Sequence, residues 1–69
     1  MTETVNNDDK KGIIADKSLI IVDDDNPFRE RLSRAMEKKG YIVSQAESVK
    51  NAINVVRTKK PSFAVVDLR

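Results

Sequence analysis

The sequence predicts an open, doubly wound α/β fold, in which helices cover both faces of a parallel sheet. Three short apolar runs indicate strands, and two amphipathic stretches between them indicate helices. The connections are short, so the expected order along the chain is β-α-β-α-β. We expect right-handed crossovers and strand order 2-1-3, with the third strand as an unpaired edge.

The first strand and first helix carry clear boundary signals. Ser18 to Val22 forms a continuous apolar run, as expected when both faces of a strand are covered. Asn26 and Pro27 then predict a helix start, with Asn as the cap and Pro at the first helical position. The helix should end near Lys39, before Gly40. One stripe at helical spacing should face the core: Phe28, Leu32, Ala35 and Met36.

The second half of the chain repeats this pattern. A second strand begins at Tyr41 and ends near Gln45, and Ser48 can cap the helix that follows. That helix should stop at Thr58 to Pro61, before a third strand from Phe63 to Val66. Its predicted inner stripe is Val49, Ala52, Ile53 and Val56.

Length and composition restrict the possible chemistry. The 69 residues allow one small domain, and the absence of Cys and His excludes thiolate sites and the commonest zinc ligand. Residues 1–17 are polar and predict a flexible leader without a signal peptide, so the domain should span 18–69. The longest apolar runs are too short to span a membrane, and we expect a cytoplasmic protein.

The aspartates carry the main functional signal. Asp23, Asp24 and Asp25 close the first strand, and Asp67 closes the third. Parallel strands bring their carboxyl ends to one edge, where ligands bind in such sheets. Converging carboxylates repel one another unless a hard cation lies between them. The pattern therefore suggests a divalent-metal site with one aspartate available as a nucleophile.

Simpler interpretations remain open for the same residues. Asp25 has the position of a helix cap, and an aspartate that ends a strand often only turns the chain. The net charge of +2 does not indicate nucleic-acid binding. The basic residues of the first helix are interpreted as a solvated face: Arg29, Arg31, Arg34 and Lys38.

Together these segments resemble a known family. "LIIVDDD", "NPFRERLSRAMEKKGYIVSQAES" and "AVVDLR" look like the first half of a response-regulator receiver domain. More narrowly, the chain is similar to the RegA/PrrA/ActR group of redox-responding two-component regulators. The resemblance covers Asp16 to Arg69 and implies an incomplete CheY-like (flavodoxin-like) sheet, truncated after strand three.

The resemblance also implies roles for individual residues. Asp23 and Asp24 match the acidic pair that helps hold Mg2+, and Asp67 matches the phosphoacceptor. Arg69 matches the position whose backbone carbonyl completes the metal site. The implied phosphoryl donor is a sensor histidine kinase, and DNA would be bound only through an output domain absent from this chain. The resemblance implies a signalling domain rather than an enzyme.

Two other interpretations remain beside this one. A phosphatase of the haloacid-dehalogenase type would use Asp23 and Asp25 as a D-x-D motif, although Pro27 replaces the Thr or Val usual in that motif. The chain could also be an inactive truncation, because the switch hydroxyl and the lysine of complete receivers have no counterpart here. Lys59 and Lys60 precede the third strand and do not replace that lysine.

Overall fold

The structure, a computed structural model, describes residues 2–3 and 16–68. It contains three parallel strands, two helices and a two-residue strand near the N-terminus. Their bounds are β1 Ser18–Asp23, α1 Asn26–Lys38, β2 Ile42–Ala46, α2 Val49–Lys59 and β3 Phe63–Asp67, with the N-terminal strand Thr2–Glu3.

The predicted topology of the parallel strands is confirmed. β1 pairs with β2, where Leu19 is opposite Val43, and with β3, where Ile20 is opposite Ala64. The three strands therefore have the order β2-β1-β3, which is the predicted order 2-1-3. No helix among the described residues is long and apolar enough to span a membrane.

The outer edge of β3 differs from the prediction. Thr2 and Glu3 lie antiparallel to β3, opposite Val65 and Ala64 respectively. The expectation that the third strand is an unpaired edge is therefore wrong, because this short segment takes up its outer side. Residues 1 and 4–15 of the predicted leader lie outside the described residues, so the flexible leader and the 18–69 domain stay predictions.

The core is centred on β1. Leu19, Ile20, Ile21 and Val22 are at most 3% exposed. Burying an aliphatic side chain of this size stabilises a fold by about 1.5–3 kcal/mol. Ile20 and Val22 pack with one another, and the residues joining them come from the neighbouring strands and α2: Ala46, Ala52, Val55 and Ala64. Leu19 and Ile21 alternate with them and therefore point to the other face, where α1 lies.

The start of α1 is one residue earlier than predicted. Asp25, rather than Asn26, caps the helix: its backbone is extended and its Oδ1 accepts a hydrogen bond from the Phe28 amide at 3.1 Å. Pro27 then occupies the second helical position. Asp and Asn cap about equally well, so the sequence alone could not decide between the two neighbours.

The inner face of α1 is also rotated from the predicted stripe. Arg29 and Ser33 are the buried residues of the helix, whereas Phe28 is 39% exposed. Leu32 and Met36 are half-buried and Ala35 is exposed, so the predicted stripe is only partly correct. The Ser33 hydroxyl stays satisfied in the core because it donates to the Arg29 carbonyl at 2.8 Å.

α2 begins as predicted but presents a different face to the sheet. Ser48 caps it and accepts from the Asn51 amide at 3.2 Å. Ala52 and Val55 pack on the core, while three members of the predicted stripe stay roughly half exposed: Val49, Ile53 and Val56. With Val66 and Leu68 of the β3 end, they line an open apolar groove of about 440 Å³. The prediction that Val49, Ile53 and Val56 face inward is therefore wrong.

A polar contact joins the amino-terminal ends of β1 and β3. Asp16 accepts from the Ser18 amide and hydroxyl at 3.0 and 2.8 Å, and from the Ser62 hydroxyl at 2.7 Å. These hydrogen bonds, that of Ser62 contributing most, lower the pKa of Asp16 below its ordinary value. The contact therefore links the residue at the start of β1 with the residue before β3.

Candidate functional site

Two aspartates from neighbouring strands meet at the carboxyl edge of the sheet. Asp23 ends β1, Asp67 ends β3, and the two are paired residues in the parallel ladder. Paired residues of adjacent strands lie on strands about 4.8 Å apart and point to the same face. The prediction that the acidic ends of the first and third strands share one edge is thus confirmed.

Asp23 is a buried carboxylate with one oxygen left over. The residue is 1% exposed, and its Oδ1 accepts from the Asp25 amide at 2.9 Å. Its Oδ2 is buried and has no hydrogen-bond partner in the described part of the chain. A buried polar atom without a partner is costly, and a carboxylate oxygen is the ligand that hard cations prefer. This atom therefore fits a metal ligand.

The other acidic residues differ from Asp23 in their surroundings. Asp24 is exposed, whereas Asp25 is used as the cap of α1. Asp67 is half-buried, and this residue is not without an interaction partner. Within residues 16–68, no three acidic side chains lie close enough together to hold a metal. Mg2+, however, needs only one or two protein carboxylates beside water and phosphate oxygens.

The predicted site residues thus fall into separate groups. Asp23 and Asp67 come together through the register of the sheet, and Asp24 adjoins them along the chain. Arg69 lies outside the described residues. The metal site made of Asp23, Asp24, Asp67 and the Arg69 carbonyl stays a prediction.

Sequence reasoning missed Arg29. The residue is only 8% exposed, so its interpretation as part of a solvated basic face is wrong. Its Nη1 donates to the Asp23 carbonyl at 2.7 Å, and its Nε donates to Gln45 Oε1 at 2.9 Å. Its spacing of one helical turn from Ser33 was the available signal, because both fall on the face opposite the exposed arginines.

Comparison with known proteins identifies the family. Residues 19–69 match the response regulator receiver domain, which is most of the chain. The chain therefore belongs to the receiver-domain family of two-component response regulators. Receiver domains generally are signal transducers that sensor kinases phosphorylate, and they generally bind Mg2+ at the phosphorylation site.

Individual relatives agree with this assignment. The chain is 49% identical over 55 residues to the photosynthetic apparatus regulatory protein RegA of Cereibacter sphaeroides, covering 80% of this chain and 30% of that protein. It is 56% identical over 54 residues to the acid tolerance regulatory protein ActR of Sinorhizobium medicae, covering 78% and 28% respectively.

A more distant relative gives the same result. The phosphate regulon transcriptional regulatory protein PhoB of Pseudomonas aeruginosa is 37% identical over 51 residues, covering 74% of this chain and 22% of that protein. The chain thus spans less than a third of each of these three relatives. No solved structure matches it. The dehalogenase-type alternative is not favoured, and Asp25, the second acid of its motif, caps α1.

Proposed function

We propose that Asp67 is the phosphoacceptor of this receiver domain and that Mg2+ binds beside it through Asp23 and Asp24. The observation that supports this proposal is the pairing of Asp23 with Asp67 at one sheet edge, with the Asp23 Oδ2 buried and unpartnered. The carbonyl of Arg69 would supply a further ligand. The metal ion, when bound, neutralises the acidic group and the phosphoryl oxygens together.

The proposed reaction is phosphoryl transfer to a carboxylate. An Asp67 oxygen attacks the phosphorus of a phosphohistidine on a sensor histidine kinase, forming a P–O bond as the P–N bond breaks. The imidazole leaves with the electron pair and takes up a proton. Asp23, held by the Asp25 amide, keeps its other oxygen directed away from that hydrogen bond and available for the metal.

We further propose that the chain acts in the cytoplasm as the N-terminal part of a transcription regulator. The supporting observation is its similarity to RegA and ActR, whose names describe them as regulatory proteins, and to PhoB, whose name describes a transcriptional regulatory protein. DNA would then be bound through an output domain that the present residues do not contain. The receiver part would contribute the phosphorylation signal and no turnover of its own.

The test uses a small acyl-phosphate donor with Mg2+. The chain, fused at its end to the remainder of the ActR receiver domain, should gain the mass of one phosphoryl group, labile to hydroxylamine. Asp67→Asn should abolish this gain, because an amide is a poor nucleophile and lacks the charge. Asp23→Asn should reduce the affinity for Mg2+ by about 10-fold or more.

A matched control is Glu37→Gln, which removes an exposed carboxylate from the far end of α1. This variant should be phosphorylated like the unsubstituted chain. Labelling that persists in Asp67→Asn would place the acceptor on another residue and contradict the proposal.

A further inference from the structure

We propose that Arg29 is a positioning residue for the acidic edge of the sheet, and that Gln45 in turn orients Arg29. The inference rests on the function proposed above, because the carboxylate that Arg29 would position is one of those proposed to bind the metal.

The guanidinium of Arg29 joins three elements of the fold. It extends from α1, donates from Nη1 to the carbonyl of Asp23 at the end of β1, and donates from Nε to Gln45 Oε1 on β2. Two nitrogens of one rigid planar group are engaged, so both its position and its plane are fixed. A lysine ammonium at the same position would be a point donor without this geometry.

These contacts fix the backbone that carries the Asp23 carboxylate. With its carbonyl held by Arg29, the peptide that follows Asp23 has one orientation, and two residues later the Asp25 amide donates to Asp23 Oδ1. The Arg29 amide donates to the Asp25 carbonyl at 2.9 Å, but this is the first backbone hydrogen bond of α1 and does not depend on the arginine side chain. The contribution specific to arginine is therefore the hydrogen bond to the Asp23 carbonyl, at the start of the Asp23–Asp25 segment.

The choice of a carbonyl partner has an electrostatic consequence. Arg29 places a buried positive charge close to the aspartates, yet both of its hydrogen bonds from the side chain go to neutral oxygens. A nearby positive charge reduces the repulsion between carboxylates, and this effect is larger where water is excluded. Because the carbonyl rather than the carboxylate is bound, the Asp23 Oδ2 stays available for a cation.

The first test needs no metal. Amide hydrogen exchange is measured by NMR on the chain fused to the remainder of the ActR receiver domain, with trimethylamine N-oxide, an osmolyte that favours the folded state. Arg29→Met should raise the exchange rate of the Asp25 amide about tenfold, as expected for loss of one hydrogen-bond anchor. The amide of Asn51, which donates to the Ser48 side chain, is the internal reference. Its exchange rate should change only as much as the global stability of the protein changes.

Two further variants separate geometry from charge. Arg29→Lys keeps the charge but loses the fork, and it should resemble Arg29→Met rather than the unsubstituted chain. Arg31→Met removes an exposed arginine from the same helix and should change nothing. The inference would be overturned if the Asp25 amide exchanged at the same rate in either Arg29 variant as in the unsubstituted protein. It would also be overturned if this amide were unprotected before any substitution.

The second test measures Mg2+ affinity in the chain fused to the remainder of the ActR receiver domain. Arg29→Met should weaken binding by about 10- to 100-fold, the usual effect of losing a residue that orients a metal ligand. Gln45→Ala should weaken it by less, and since the Gln45 side chain is exposed this variant answers the question even if Arg29→Met does not fold. Unchanged Mg2+ affinity in both variants would overturn the inference.

The two proposals fail in different ways. A fused receiver domain that carries no substitution and binds no Mg2+ contradicts the proposed function, and the exchange of the Asp25 amide then decides the role of Arg29 alone. Mg2+ binding together with unaltered Asp25 exchange in Arg29→Met supports the function and contradicts the positioning role.

Discussion

Neighbouring residues of one type take different roles in this protein. Asp23 is buried with an oxygen unpartnered, Asp24 is exposed, and Asp25 caps a helix, although they are consecutive aspartates. The alternation of side chains along β1 and the turn into α1 cause this difference. Identity of residue type therefore says less about the chemistry here than position relative to the end of the strand.

Asp16 provides a prediction at this scale. Its carboxyl should titrate below its ordinary pKa of 3.8, because the hydroxyl of Ser62, then the amide and hydroxyl of Ser18, stabilise the ionised form. Ser62→Ala removes the largest of these causes and should move the pKa of Asp16 upward. The measurement is the side-chain carboxyl resonance of Asp16 against pH, with the osmolyte present.

The direction of the effect on stability follows from the same shift. Since the pKa is lower in the folded chain than in the unfolded chain, ionised Asp16 stabilises the fold above about pH 4. This contribution is lost as the pH falls through the folded-state value. Thr58→Ala removes an exposed hydroxyl that bonds to the Asn54 carbonyl, and it should leave the titration of Asp16 unchanged. Titration of Asp16 at or above 3.8 in the unsubstituted chain would contradict the prediction.

At the scale of elements, substitutions of Asp25, which caps α1, distinguish a structural role of this residue from a chemical one. Asp25→Ala should destabilise the fold by about 1 kcal/mol, because the Phe28 amide loses its acceptor. Asp25→Ser keeps a capping oxygen and should retain both stability and Mg2+ affinity. Far-UV circular dichroism across a denaturant series, on the chain fused to the remainder of the ActR receiver domain, measures the first effect.

Ser48→Ala is the matched control for the second helix. It removes the hydrogen bond to the Asn51 amide and should cost about the same free energy of unfolding. If Asp25→Ser abolished phosphorylation while keeping helix content, Asp25 would have a chemical role, and the dehalogenase-type interpretation would have to be reconsidered.

The elements also indicate what the sequence could and could not predict. Strand positions, parallel pairing and the meeting of Asp23 with Asp67 followed from apolar runs ending in acids, which is a strong local signal. The inner faces of the helices did not follow. Periodicity locates an apolar stripe, but contact with a small sheet decides which part of it is covered, and here Ile53 and Phe28 stay substantially exposed.

Arg29 was mispredicted for a related reason. Because arginine is charged, the residue was predicted to lie on the surface. Its burial is tolerated because its guanidinium donates to the backbone carbonyl of Asp23 and to the side-chain oxygen of Gln45. Those partners are 6 and 16 residues away in sequence, so a local pattern could not reveal them. The pairing of Thr2 with β3 has the same origin, since a two-residue strand has no readable periodicity.

At the scale of the whole molecule, the core is small and unevenly covered. The two helices pack on β1 and β2, while Val66 of β3 is 39% exposed. Ordering the backbone costs about 1–2 kcal/mol per residue. We therefore expect the 69-residue chain to have a free energy of unfolding near zero and a broad, non-cooperative denaturant transition by circular dichroism.

A pair of substitutions tests where the remaining stability lies. Ile21→Ala, at a fully buried position, should remove most of the residual structure, whereas Ile53→Ala, which is 46% exposed in the groove, should change little. A sharp sigmoidal transition from a monomer, with a midpoint that rises with Mg2+, would contradict the expectation and show that the chain folds and binds metal alone.

The outer side of β3 has a further consequence. The outer edge of β3 can form backbone hydrogen bonds with one neighbouring strand at a time. Thr2–Glu3 occupies this edge in the antiparallel direction. Because two residues contribute very few ladder hydrogen bonds, the place is held weakly and can be exchanged. Any additional strand that pairs with the outer edge of β3 must first displace Thr2–Glu3. The two arrangements therefore exclude each other.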